Sequence, residues 1–244
     1  MRARGDRRGS GRQVDVYGGR DPRAIPVYPL LTAAGYLRLP PATLRSWIAG
    51  RLYETSAGAR RAQSLIQPAG EPNVLSFWNL AEAFVLAAIR RQHGVPLQKV
   101  RKALTYVERE LDVERPLIRE RFRTDGVDLF VERWGQLLNA SKAGQLAFRG
   151  ALEARLQRIA FDERGLAARL FPFGRSDEQE SPRAIEIDPR RGFGRPLLAG
   201  TSITADVVLG RFRAGESSAE LAKDYAVDIA LIEEAIRSAL PQAA

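Results

Sequence analysis

The sequence predicts a mainly α-helical protein with small β elements, and three observations lead there. Apolar residues recur at helical spacing, as in Leu80, Phe84, Ala87 and Ala88. The alternating runs that would make strands are short and bounded by Gly, Pro or Asp. Breaks rich in Gly and Pro divide the 244 residues into successive units. In chain order these are an arginine-rich disordered arm (1–25), a first domain (26–110), a mixed α/β connecting region (111–175), a linker (176–183) and a helical C-terminal domain (184–241).

Residues 1–25 combine Gly, Arg and Asp with few apolar side chains, too few to offset the backbone entropy of ordering. A short helix at 32–37, a turn at Leu39-Pro40-Pro41 and a helix at 42–49 follow. Ala33 and Ala34 let the two helices cross closely, and Leu44, Trp47 and Ile48 form the buried side of the second, with Trp47 expected in the core. The other side carries Thr43, Arg45 and Ser46, with Arg51 just beyond, side chains that suit base edges and phosphates. Leu52-Tyr53 and Leu65-Ile66 flank Gly58, Arg60 and Arg61 as the strands and basic tip of a wing. Helices at 79–92 and 97–110 close the unit, Gly94 ending one and Pro96 opening the other as its first residue. The front of the chain is therefore a winged helix-turn-helix.

In the connecting region, 127–131 and 145–148 read as small strands beside the Gly-containing breaks at Asp125-Gly126 and Ala143-Gly144. A helix at 149–160 follows, and residues 172–182 carry two prolines among polar residues, as a linker does. The last unit opens with a strand at 184–188 and a reversal built on Gly192, Gly194 and Gly200, which permit positive φ. Thr201 or Thr204 caps the helix at 203–214, which packs through Val207, Val208 and Phe212. Helices at 217–225 and 228–240 start behind Ser217 and Asp228, and Pro241 ends the fold. This is a strand plus a three-helix bundle. Glu233 and Glu234 are expected on the exposed face of its last helix, where two carboxylates would repel phosphates, so protein contact or dimerisation is preferred to base reading.

Charge separates the units. Residues 1–25 carry +4, residues 26–175 carry +9 and residues 176–244 carry −4, so the front suits an anionic partner and the back a protein. The absence of cysteine excludes disulfides, thiolate metal sites and cysteine nucleophiles, and one histidine, His93, read as a helix-end surface residue, leaves little for a histidine-based active site. No catalytic residues, metal site or cofactor are expected. Neither a span of about 20 apolar residues nor a secretory signal is evident, so the expected location is the cytoplasm, with no membrane role.

Residues 28–104, with "TAAGYLRLPPATLRSWI" followed by a wing and "NLAEAFVLAAIRRQHGVPLQKVRKAL", resemble the winged helix of MerR-type regulators. The arginine-tyrosine pair of that family's recognition helix stands here as Arg45-Ser46-Trp47, so base preference does not carry over. Residues 185–240 resemble a small antitoxin-associated domain through Ile187, Pro189, Gly194, Pro196, Leu198, Gly200, Thr201, Ile203 and Val207. A basic winged helix followed by this module resembles the large antitoxins of the VapBC type. The resemblance implies a cognate PIN-like ribonuclease toxin as partner, neutralised by this chain, and operator DNA bound by a homodimer or higher hetero-oligomer. Arg190, Arg191, Arg195, Arg211 and Arg213 are the candidates for toxin binding, because Arg pairs bidentately with carboxylates. The alternative is a free-standing MerR-like regulator in which residues 105–175 sense a ligand and the C-terminal module dimerises.

Overall fold

The computed structural model describes residues 17–55, 58–91, 96–173 and 182–239. Residues 1–16, the early part of the expected arm, lie outside this set, as do His93, Gly94 and Pro241. Residues 17–25 are not an arm. Asp21 caps a 3₁₀ turn, Pro22–Ala24, and accepts the Arg23 N–H at 2.9 Å. The Arg23 side chain is 3% exposed and pairs with Asp21 and Asp162, each at 2.7 Å. A buried guanidinium is tolerated only with such partners, and it pins the start of the chain to the middle region.

Strand β1 (Tyr28–Pro29) leads into α1 (Leu30–Leu37), which ends at Arg38 in the left-handed region. Pro41 opens α2 (Pro41–Ala49) at a position where the missing N–H costs nothing. Leu30, Ala33, Ala34 and Leu37 of α1 meet Leu44, Trp47 and Ile48 of α2, all buried, as the spacing predicts. The wing is a hairpin of β2 (Arg51–Thr55) and β3 (Gly58–Ala62), with Leu52 opposite Arg61 and Tyr53 opposite Arg60. Arg60 and Arg61 thus stand in a strand and not at a tip. Leu65 and Ile66 are not the second strand: their N–H groups donate to the Trp47 carbonyl at 2.7 and 3.0 Å, satisfying the open end of α2. Strand β4 (Val74–Leu75) pairs with β1. Helix α3 (Phe77–Arg91) is the axle of the domain, with Phe77, Leu80, Ala81, Phe84, Val85 and Ile89 fully buried. Helix α4 (Leu97–Leu111) follows, with Pro96 at its cap, one residue earlier than expected.

The middle region departs from the expected strands. Residues 127–131 lie in α5 (Val127–Leu138) and 145–148 in α6 (Lys142–Leu156). Val127, Phe130, Val131 and Trp134 are buried at steps of three, one and three, a helical period that the five-residue alternation conceals. Ser141 caps α6 by accepting the Gly144 N–H at 3.1 Å, which places the helix start seven residues before the expected 149. Phe122, Phe130, Trp134 and Phe148 fill the interior between these helices, with ring centroids 4.3–6.1 Å apart.

Strands β5 (Ile159–Phe161) and β6 (Ala167–Leu170) then join β7 (Ile185–Ile187) and β8 (Pro196–Leu198) in one antiparallel sheet ordered β5-β6-β7-β8. Leu170 pairs with Ile187, so the sheet continues across the expected linker and joins the middle region to the C-terminal module. Helices α7 (Ala205–Arg213), α8 (Ser218–Tyr225) and α9 (Ile229–Ala239) complete the bundle around Val208, Leu221, Ile232 and Ala235. Ser217 and Glu220 form a reciprocal capping box at α8. Thr204 stands at the cap of α7 without a side-chain bond, whereas Thr201 Oγ1 accepts the Ile203 N–H at 3.0 Å. Val207 is 50% exposed and does not pack as expected, because Ala205 and Val208 already occupy the inner face. Glu234 is buried against Arg237, and only Glu233 faces outward. No described helix is long and apolar enough to cross a membrane.

Candidate nucleic-acid and partner interfaces

Helix α2 presents Arg45 outward, with Thr43 and Ser46 half-buried beside it. Ser46 Oγ donates to the Thr43 carbonyl at 2.7 Å, which leaves its lone pairs, and not its proton, for a ligand. These residues line an open cleft of about 530 Å³ that Arg90 of α3 and Leu97 of α4 complete. Among the described residues no carboxylate lines it. The cleft is therefore basic and open, which suits a phosphate backbone lying across a recognition helix. Arg90 was not legible as a site residue in the sequence. It is the exposed end of an otherwise buried helix, and only the packing of α3 behind α2 brings it to the cleft. Arg51, Arg60 and Arg61 belong to the hairpin beyond α2, and their side chains lie outside the described residues.

The five arginines expected to bind a protein partner divide into two groups. Arg191 donates to the buried carboxylate of Glu186, which is 1% exposed, and to the Thr201 carbonyl. Arg211 pairs with Glu216 at 2.8 Å and with Asp224, and lies 5.0 Å over the Tyr225 ring. Glu216 and Asp224 together raise its pKa further, so it stays charged but occupied. Arg190, Arg195 and Arg213 are exposed.

Arg190 and Arg195 bracket a tight loop. Asp188 Oδ1 accepts the Arg190 N–H at 2.9 Å and its carbonyl accepts the Arg191 N–H at 3.0 Å. Two further backbone bonds, Gly194 to Arg191 at 3.0 Å and Arg195 to Gly192 at 3.1 Å, close the next turn. Gly192, Phe193 and Gly194 are all left-handed, with φ of 53°, 53° and 75°. Gly194 is required for a second reason: a Cβ there would lie 2.2 Å from Tyr28 Oη. Tyr28 is 4% exposed, and burial pushes its phenol pKa up.

The loop is thereby seated on the first domain. Tyr17 Oη donates to the Pro189 carbonyl at 3.2 Å, Arg38 at the end of α1 donates to the Ser238 carbonyl, and Tyr36 meets Phe173 edge to face at 6.1 Å. Arg158 donates to the Phe171 carbonyl at 2.7 Å, and burial, with Arg183 nearby, lowers its pKa. Among the described residues no group of three or more His, Cys, Asp or Glu is placed to hold a metal ion.

Fold and surfaces define a winged helix-turn-helix protein whose C-terminal sheet-and-helix module packs on its first helix. Residues 26–104 match the family model described as "Putative DNA-binding HTH domain", and residues 185–239 match "Protein of unknown function (DUF433)". "Putative antitoxin VapB45" of Mycobacterium tuberculosis is 34% identical over 224 residues, covering 83% of this chain and 89% of that protein. The crystal structure of Rv2018 from Mycobacterium tuberculosis is similar at a TM-score of 0.65 and 29% identity, covering 87% of this chain and 98% of the other. The chain belongs to the VapB45 family of antitoxins, with a helix-turn-helix DNA-binding domain at its front.

Proposed function

We propose that this chain neutralises a cognate PIN-like ribonuclease toxin in the cytoplasm and, through its winged helix, represses its own operon. The observation that carries the reading is the extent of similarity to an antitoxin: it covers 83% of the chain, more than the winged helix alone could supply. Arg45, Thr43 and Ser46 contact operator DNA, Arg90 adds a phosphate contact, and Arg51, Arg60 and Arg61 do so from the wing. Arg190, Arg195 and Arg213 meet carboxylates of the toxin, while Arg191 and Arg211 shape the module that carries them. The chain acts as a homodimer or a higher hetero-oligomer on a palindromic operator. The ligand-sensing regulator has less support, because Phe122, Phe130, Trp134 and Phe148 fill the interior of the middle region and the clefts on its surface, one beside Asp128, Lys142 and Arg149 and one beside Thr105 and Glu108, are open ones.

The test is co-expression of the tagged chain with the product of the adjacent gene, followed by size-exclusion chromatography with light scattering and an RNase assay. The expected result is a stable complex whose RNase activity appears only after this chain is removed. A chain that binds its upstream DNA but never co-purifies with the neighbour overturns the antitoxin reading in favour of the regulator.

A further inference from the structure

Phe193 is the most exposed large apolar side chain among the described residues, at 77%, and it is also a bulky residue held at φ 53°. A side chain of this kind adopts the left-handed region only where the surrounding structure enforces it. Here the enforcement is explicit. Gly192 and Gly194 on either side are left-handed, Asp188 and Arg191 tie the two turns, and Gly194 rests on Tyr28. The chain holds an aromatic ring out into solvent on a rigid support and gains no internal packing from it.

We infer that Phe193 is an anchor for the toxin, inserted into an apolar pocket whose rim carries carboxylates that meet Arg190 and Arg195. The inference rests on the antitoxin reading and adds an apolar contact to the exposed arginines. A ring fixed in advance loses little freedom on binding, and aromatic anchors flanked by arginine are where interface energy concentrates. A nucleic acid is the poorer occupant, because α2 and the wing already supply the DNA contacts of that reading and a phosphate backbone offers an exposed phenyl ring no apolar pocket.

The experiment measures the affinity of the full-length chain for the purified adjacent-gene ribonuclease by surface plasmon resonance at low and high salt. Phe193→Ala is expected to weaken binding at least about 30-fold, or ~2 kcal/mol, and Phe193→Leu to retain most of it. Phe193→Gly is expected to weaken binding while leaving the melting temperature of the free chain equal to or above that of the parent, which a structural role would not produce. Arg190→Glu with Arg195→Glu weakens binding and flattens its salt dependence. Parent binding with Phe193→Ala within about threefold of it overturns the inference alone; no binding by the parent overturns the antitoxin reading and the inference together. If Phe193→Ala instead dissociates a dimer of the chain, or abolishes operator binding, while toxin affinity is kept, the ring serves a second copy or DNA and the inference is overturned.

Discussion

Adding one methyl group at Gly194 tests how tightly the glycine loop is seated on the first domain. The new Cβ would stand 2.2 Å from Tyr28 Oη and 3.0 Å from Cζ, and the ring it meets is 4% exposed and cannot swing aside. Two costs add. Left-handed backbone costs an alanine about 1–2 kcal/mol, and forcing atoms into a packed site costs about 1–3 kcal/mol more. Gly194→Ala is therefore expected to lose about 2–5 kcal/mol, a fall in melting temperature of roughly 4–20 °C for a chain of this size. Gly200 supplies the control, since it has φ 77° with nothing within 4 Å of a built Cβ, so Gly200→Ala carries only the backbone cost. Tyr28→Phe removes the nearest atom; its hydroxyl has no hydrogen-bond partner among the described residues, so this change alone moves stability by no more than about 1 kcal/mol. In the double variant about 1 kcal/mol or more of the Gly194→Ala loss should return. The assay is urea and thermal denaturation of the four variants. A Gly194→Ala chain no less stable than Gly200→Ala, or a double variant with no recovery, refutes the reasoning.

Arg45→Ala should reduce discrimination between operator and random DNA by about tenfold or more, whereas Arg90→Ala should weaken both equally and lower the salt slope by ~0.9; gel shifts across a salt series distinguish them, and two unchanged series would remove the cleft from the DNA interface. Arg23→Ala should cost about 3 kcal/mol, because it leaves Asp162 and Asp21 without their shared cation. The Arg23 guanidinium holds the Asp21 carboxyl below its usual range, and the Leu166 N–H with Arg23 overcomes burial to do the same for Asp162. Their contribution is complete above the unfolded value of about 3.9 and disappears as pH falls through the lower folded values, so the acid limb of stability should be shallower in Arg23→Ala. Glu108 is shifted the other way, raised by burial and by Glu82 and Glu114. The fold favours its neutral form more than the unfolded chain does, and the stability it lends below the unfolded pKa is lost as pH rises through the folded value. Glu108→Gln should raise the melting temperature at pH 7 and leave it unchanged near pH 4, as thermal denaturation at the two pH values would show.

The elements legible in the sequence were those whose signals are local. Ala33, Ala34, Leu44, Trp47 and Ile48 announce two crossing helices because the relevant packing is between neighbours in the chain. Ser217 announces α8 for the same reason, since a cap acts over three residues. The middle region failed where the window was too short. Val127, Leu129 and Val131 alternate like a strand, and only Trp134 reveals the helix. Strand β6 had no legible signal, because its four residues acquire their role by pairing with β5 and β7. At the candidate site, exposure of Arg45 followed from its position off the helical face that buries Leu44, Trp47 and Ile48. The occupation of Arg191 and Arg211 did not, since Glu186 and Asp224 reach them through the folded sheet and bundle. Phe193 stood in the sequence as one more apolar residue, and only its backbone angle and exposure single it out.

The contact between Arg38 and Ser238 joins residues 200 positions apart. On a ribosome adding about 5–20 residues per second, the end of α1 waits some 10–40 s after its own synthesis for that acceptor to be made. The first domain and the middle region share one core, nearly all of whose residues precede residue 171, so that core is made before the module that seats on it. A nascent chain therefore holds its helix-turn-helix before the joint can close: Tyr17 and Tyr28 wait for residues 189 and 194, and Arg38 waits for residue 238.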